Sequence, residues 1–247
     1  MRLDVYPTAA SAEGERFDSR AAVVIDVLRA TSVIATALDH GAVDVVPVAT
    51  PEEATELARD WPQDSYLLGG ERQALPLPGF HVGNSPREYT PDRAGGRRVV
   101  LTTTNGTRAL LAARSAASLF AASFLNARAV SREVAATGRD VVIICAGTVG
   151  RFDLVDTVCA GLVVEALTGP AVASELNDLA VAARELYGLH RGKLIELMHQ
   201  CYHGQRLVSL GMGDDLVYCA QEDTVPVVPR WSDGRLVPST DPTAPRA

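Results

Sequence analysis

The chain has 247 residues and a formal net charge of −7. That length suits one large α/β domain or two smaller ones with a sizeable core, and the negative charge argues against non-specific nucleic-acid binding. No apolar run approaches the roughly 20 residues of a membrane span, the opening MRLDVYPTAASAEGERFDSR has no hydrophobic signal core, and four scattered cysteines without a C-x-x-C pair argue against structural zinc or a disulfide framework, so a cytoplasmic protein is expected.

The first predicted unit is the strand Ala21 to Ile25, the turn Asp26 to Ser32 and a helix from Val33 to Leu38. Asp26 ends a buried strand, where a carboxylate is placed to hold Mg²⁺ through oxygen or to attack phosphorus. Arg29 is placed to clamp phosphate. An N-cap Asp with a paired Arg explains the same residues structurally. Leu28 stands where the haloacid-dehalogenase pattern needs a second Asp, which disfavours that mechanism.

A strand over Asp44–Val48 and a helix over Pro51–Arg59, with proline in its first turn, come next. The strand Ser65–Leu68 runs into Gly69-Gly70-Glu71-Arg72. There Glu71 is a second candidate metal ligand or a general base, against a solvated turn. Gly83-Asn84-Ser85-Pro86 reads as a turn, with the Asn84 amide available to substrate.

The second strand-turn-helix unit is the most informative. Val99-Val100-Leu101 leads into Thr102, Thr103, Thr104, Asn105, Gly106, Thr107 and Arg108, and an apolar helical run follows. Hydroxyls and an arginine beside a helix N-terminus predict an anion cradle. No P-loop lysine is present. A strand over Leu119–Ala122 and a helix over Asn126–Ala136 follow.

The third unit is the strand Val141–Ile144, the turn Cys145 to Asp156 and a helix from Thr157 to Leu167. Cys145 and Arg151 have the spacing of a cysteine-phosphatase loop, in which a thiolate attacks phosphorus. Asp153 and Asp156 offer oxygen ligands or a general acid instead. Helices are predicted over Asp178–Leu186 and Lys193–Cys201. His203 to Asp223 reads as turns broken by Gly204, Gly211 and Gly213, with His203 a candidate to protonate a leaving group. The Pro-, Ser- and Thr-rich tail after about residue 231 reads as mobile.

Strands apolar on both faces, each followed by a helix, predict an α/β fold of layered parallel or mixed sheets flanked by helices. Two α/β halves, 1–125 and 126–247, are expected, with a cleft between them. Ligands of such sheets bind beyond the carboxyl ends of the strands.

Several blocks together resemble the 2-phosphosulfolactate phosphatase family. They are VVIDVLRATSVIATAL, LLGGER, GNSPREYT, LTTTNGTRAL, CAGTVGRFDLVD and HGQRLVSLGMGDDLVYCAQEDTVPVVP, spread from residue 23 to about residue 229. The resemblance implies an α/β fold with an interdomain cleft. It also implies a Mg²⁺-dependent, acid-type phosphatase that converts 2-phospho-3-sulfolactate to 3-sulfolactate and phosphate, a step of coenzyme M synthesis in methanogens. Relatives usually carry Leu-Glu-Asp where this chain has Leu154-Val155-Asp156.

Three readings stay open. In the first, Asp26 and Glu71 hold Mg²⁺, residues 102–108 and Asn84 bind the phosphoester, and Arg29 and Asp156 assist. The second is a cysteine-dependent phosphatase built on Cys145 and Arg151. The third is a non-catalytic binder of anionic metabolites. A small-molecule phosphoester is the expected partner, without nucleic acid or membrane, and a homo-oligomer stays open.

Overall fold

Short runs of Val, Ile, Leu and Ala, buried on both faces, build the centre of the molecule. The structure, a computed structural model, describes residues 1–169 and 175–239. Its strands are β1 (Arg2–Tyr6), β2 (Ala21–Ile25), β3 (Asp44–Pro47), β4 (Tyr66–Arg72), β5 (Leu75–Pro76), β6 (Arg98–Thr102), β7 (Ser118–Ala122), β8 (Val141–Cys145), β9 (Glu175–Leu176), β10 (Pro229–Ser232) and β11 (Arg235–Pro238). Its helices are α1 (Ala30–Asp39), α2 (Pro51–Ala58), α3 (Pro91–Ala94), α4 (Gly106–Ala112), α5 (Ala127–Ala136), α6 (Leu154–Thr168), α7 (Asp178–His190), α8 (Leu194–Gln200), α9 (Tyr202–Ser209) and α10 (Gly213–Cys219).

The strands form one sheet in the order β5-β4-β6-β3-β11-β10-β7-β2-β8-β1-β9. Two parallel blocks, β4-β6-β3 and β7-β2-β8-β1-β9, make up most of it. The β10–β11 hairpin joins them antiparallel, through Arg230 opposite Phe120 and Leu236 opposite Val45. The layered α/β architecture expected from the sequence is thus present as a single mixed sheet. Strands from either side of residue 125 alternate within it, as where β2 pairs with β8.

Successive strand residues point to opposite faces, and each face has its own core. Val23 and Ile25 pack with α5, α6 and α7 residues such as Val130, Val158 and Tyr187. Ala22 and Val24 pack with α1 and α4 residues such as Ile34 and Leu110. Helix α6 is apolar nearly all round and buried along most of its length, as a helix inside a layered core must be. Its Gly161 lets α7 approach closely: a Cβ there would stand 2.0 Å from the Ala183 carbonyl oxygen.

Two sequence expectations are corrected. Of the three glycines expected to break residues 203–223 into turns, only Gly211, with φ +77°, does so; Gly204 and Gly213 lie within Tyr202–Ser209 and Gly213–Cys219, helices α9 and α10. Glycine lowers helix propensity by only about 1 kcal/mol, and at Gly204 close packing demands it, since a Cβ would sit 1.8 Å from the Met198 carbonyl oxygen. The chain after Trp231 is not a loose tail either. Its Arg-Leu-Val-Pro is β11, with Leu236 fully buried beside β3; the remainder of that tail, residues 240–247, lies outside the described residues.

Candidate active site

Strand β2 is buried throughout and delivers Asp26 at its carboxyl end. The Thr31 hydroxyl accepts from the Asp26 N–H at 3.0 Å and donates to the Asp26 carbonyl at 2.8 Å, which fixes the turn. The Asp26 side chain accepts from the Ala30 N–H at 3.3 Å. It also lies against Gly106, where a Cβ would come within 2.6 Å of Oδ2 and 2.5 Å of the Ala30 methyl. Only glycine lets the second turn approach the first so closely.

Glu71, at the carboxyl end of β4, faces the same space. Its two oxygens accept from the Thr104 N–H (2.8 Å) and the Ala74 N–H (2.7 Å). Asp26, Glu71, Asn84, Thr104 and Asn105 line a cavity of about 580 Å³ together with Thr148 and His203. Burial raises the Asp26 carboxyl to about 7, and the charges of Glu71 and Asp153 push it the same way against the Ala30 N–H and Arg29. Carboxylates gathered so closely favour a bound cation.

Arginines surround these acids. Arg29 is buried, paired with Asp215, and its Nη2 donates to the Ala74 carbonyl at 3.2 Å. Ser85 donates to the other oxygen of Asp215 at 2.6 Å. Arg72 donates to the carbonyls of Glu71 (2.7 Å) and Ala49 (3.1 Å) and to Thr102 Oγ1 (3.0 Å). Arg206, on α9, donates to the Gln73 carbonyl at 2.9 Å. Among the described residues neither Arg72 nor Arg206 pairs with a carboxylate, and both line the cavity.

The predicted cradle is split by the structure. Thr104 and Asn105 reach the cavity, whereas Thr103 and Thr107 bond to one another and close the turn. Thr102 is fully buried and serves as the acceptor for Arg72. Arg108 points away to an exposed ion pair with Glu13. The Asn105 side chain accepts from the Val149 N–H at 3.1 Å, tying this turn to the loop after β8.

Asp156 lies behind the cavity. Its oxygens accept from the N–H groups of Val27 (2.9 Å) and Gly147 (3.1 Å), so it ties the turns after β2 and β8 together. Burial raises its carboxyl well above the usual range, with Asp153 and Asp26 adding to the effect. Cys145 is fully buried at the end of β8 and lines neither this cavity nor the one beside it. Burial, then Asp156 and Asp153, raise its thiol well above the ordinary value, the opposite of what a nucleophilic thiolate needs. Arg151 borders a neighbouring cavity of about 720 Å³ instead.

Arg72 and Arg206 are not among the residues that the sequence pattern marks for the site. Arg72 was legible as a charge beside Glu71. Arg206 was not, because its position one turn beyond His203 becomes meaningful only once 202–209 is a helix. Among the described residues no three His, Cys, Asp or Glu side chains converge as a metal cluster. The oxygen donors facing the cavity nonetheless suit a hard ion: two carboxylates and the Asn84 amide, whose buried Oδ1 has no hydrogen-bond partner among the described residues. Mg²⁺ takes one or two carboxylates and keeps several waters, so these residues fit it.

A mixed, largely parallel α/β sheet with carboxylates, and with arginines that meet no carboxylate among the described residues, around a cavity at the strand ends defines an enzyme acting on a small anionic molecule. The chain belongs to the 2-phosphosulpholactate phosphatase family, whose model matches residues 6–234. It is 52% identical over 223 residues to a probable 2-phosphosulfolactate phosphatase of Symbiobacterium thermophilum, covering 90% of this chain and 96% of that protein. A probable 2-phosphosulfolactate phosphatase of Caldanaerobacter subterraneus subsp. tengcongensis is 40% identical over 98% of this chain and 100% of its own length. One of Gloeobacter violaceus is 45% identical over 85% of this chain and 87% of its own length. No helix among the described residues is long and apolar enough to cross a membrane.

Proposed function

We propose that this cavity hydrolyses 2-phospho-3-sulfolactate, or a closely related small phosphoester, to the free hydroxy acid and phosphate with Mg²⁺ as cofactor. The observation that carries the reading is that Asp26 and Glu71 share one cavity with two arginines, Arg72 and Arg206, that have no carboxylate partner among the described residues. Substrate bearing phosphate, sulfonate and carboxylate brings several negative charges into a space that already holds two carboxylates. Arg72 and Arg206 offset that charge and orient the acid groups by bidentate contact. The Thr104 and Asn105 turn positions the phosphoryl group between them. Asp26 and Glu71 would hold Mg²⁺, which when bound screens phosphate from the carboxylates and polarises the P–O bond. The Cys145 reading loses its support, since that thiol is buried and held in its neutral form.

The same reading makes the protein a cytoplasmic enzyme that needs neither nucleic acid nor membrane, in keeping with its charge of −7. Exposed Val181 and Leu189 on α7 are compatible with a homo-oligomer, which sedimentation would resolve. The function is tested by phosphate release from 2-phospho-3-sulfolactate with EDTA and after added Mg²⁺. Turnover abolished by EDTA and restored by Mg²⁺ is expected. Turnover unaffected by EDTA would remove the metal, and no release from this or simpler 2-phospho acids would remove the phosphatase reading.

A further inference from the structure

Beside the carboxylates stands a second polar chain whose geometry is more specific than the function requires. Thr148 donates its hydroxyl proton to Asp153 Oδ2 at 2.5 Å. A carboxylate oxygen only accepts, so the hydroxyl proton is committed there. The Thr148 oxygen is also 3.1 Å from His203 Nδ1. It therefore accepts, and Nδ1 carries a proton. Asp153 is itself locked as the N-cap of α6, accepting from the N–H groups of Val155 (2.9 Å) and Asp156 (3.3 Å). His203 lines the cavity, and Nε2 has no partner among the described residues. A histidine with its tautomer fixed from behind and its other nitrogen free is arranged for proton transfer.

We propose that His203 is the general acid of the reaction: Thr148, anchored on Asp153, holds the imidazole so that Nε2 gives its proton to the ester oxygen leaving phosphorus. This rests on the phosphatase reading above. As the water O–P bond forms, the P–O ester bond breaks and its electron pair stays on the substrate's C2 oxygen. That oxygen takes the Nε2 proton and becomes the hydroxyl of the product. The attacking water keeps one proton on phosphate and loses the other to solvent, from which the imidazole is reprotonated. An alkyl alkoxide is a poor leaving group, so this is the step where a proton matters most. The charged groups around the ring are Asp153 ahead of α6, Glu71 on β4, Arg29 ahead of α1 and Arg206 on α9 itself. Burial holds the free protein's His203 below its ordinary value, opposed by Asp153 and Glu71. The anionic substrate adds to the side of Asp153 and favours the protonated ring.

The test pairs imidazole ¹⁵N NMR with kinetics on the full chain. In the neutral ring Nδ1 should be the protonated nitrogen, and Thr148→Val should mix the tautomers while Thr148→Ser preserves them. The opposite tautomer in the wild type overturns the relay whatever the enzyme's substrate. His203→Gln should lower kcat on an alkyl 2-phospho acid by about 10²–10⁴-fold, with KM little changed, yet cost less than about tenfold on p-nitrophenyl phosphate, whose leaving group needs no proton. Wild-type kcat on the alkyl ester should fall as pH rises, and the variant should lose that limb. Equal loss on both esters, or an unchanged limb, overturns the general-acid role. A wild type that releases phosphate from neither ester sinks the phosphatase reading and this role with it, whereas failure of the proposal alone leaves wild-type turnover intact.

Discussion

Two strand-to-helix turns meet at the cavity, and they use similar residues to opposite ends. After β2, Asp26 to Ala30 turns its carboxylate toward the cavity and uses Thr31 only to hold its own backbone. After β6, Thr103 and Thr107 bond to one another, the Thr102 hydroxyl accepts from Arg72, and the Thr104 N–H is taken by Glu71. The second turn is thus mainly a support for carboxylates, with Thr104 and Asn105 as its cavity-facing part. A run of hydroxyls at a helix start does not by itself make an anion cradle. What decides is whether those hydroxyls and N–H groups are already satisfied.

The contrast is broken most severely at Gly106, where the turns touch. Gly106→Ala places a methyl about where Asp26 Oδ2 and the Ala30 methyl already lie. Overpacking of this kind costs roughly 1–3 kcal/mol. We expect a lower urea midpoint together with a fall in kcat of at least about tenfold. An unaltered kcat would mean that Asp26 does not depend on this contact. Thr107→Val is next. It removes the hydroxyl that donates to the Thr103 carbonyl (2.9 Å) and accepts from the Thr103 N–H (3.2 Å). Stability should fall by roughly 1–2 kcal/mol, with kcat/KM nearly unchanged; a selective loss of substrate affinity would restore the cradle.

The pH dependence of stability sharpens the same distinction. Burial raises the Asp26 carboxyl from its ordinary 3.8 to about 7, so the folded state binds its proton more tightly than the unfolded chain does. Its contribution to stability is full below about pH 4 and is lost as pH rises through about 7. In metal-free protein, Asp26→Asn should therefore gain stability over wild type at pH 8 relative to pH 5, read by urea denaturation. A constant difference would show that Asp26 is not desolvated as the structure places it. Smallest of all is Arg108→Ala. Its exposed pair with Glu13 should contribute less than about 1 kcal/mol, with kinetics on any phosphoester unchanged.

Much of this was legible from the chain. Val23 to Ile25, Val99 to Leu101 and Val141 to Ile144 are continuous apolar runs, and such runs become central parallel strands. Asp26 and Glu71 were legible because a charged residue ending such a run must emerge at the sheet's edge. The β10–β11 hairpin was not, since Arg230, Ser232 and Arg235 break the apolar pattern and only its contacts with β3 and β7 give it a place. Helix α9 was hidden by Gly204, which serves close packing rather than a turn, and α10 by Gly213 at its first residue; only Gly211, with φ +77° between the two helices, makes the turn its type suggests. The inward direction of Thr103 and the outward direction of Arg108 depend on hydrogen-bond partners far along the chain, which spacing does not encode.

The proposed division of labour gives the chemistry to the Asp26 turn and a supporting role to the Thr102–Arg108 turn. Phosphate release from 2-phospho-3-sulfolactate under saturating Mg²⁺, compared between wild type, Asp26→Asn and Thr103→Val, tests it most directly. Asp26→Asn should lose at least about 10²-fold in kcat, a loss typical of a group acting on the transition state, while Thr103→Val should keep kcat within about threefold of wild type once folded, since it removes no transition-state contact. Turnover that survives in Asp26→Asn and collapses in Thr103→Val would contradict it.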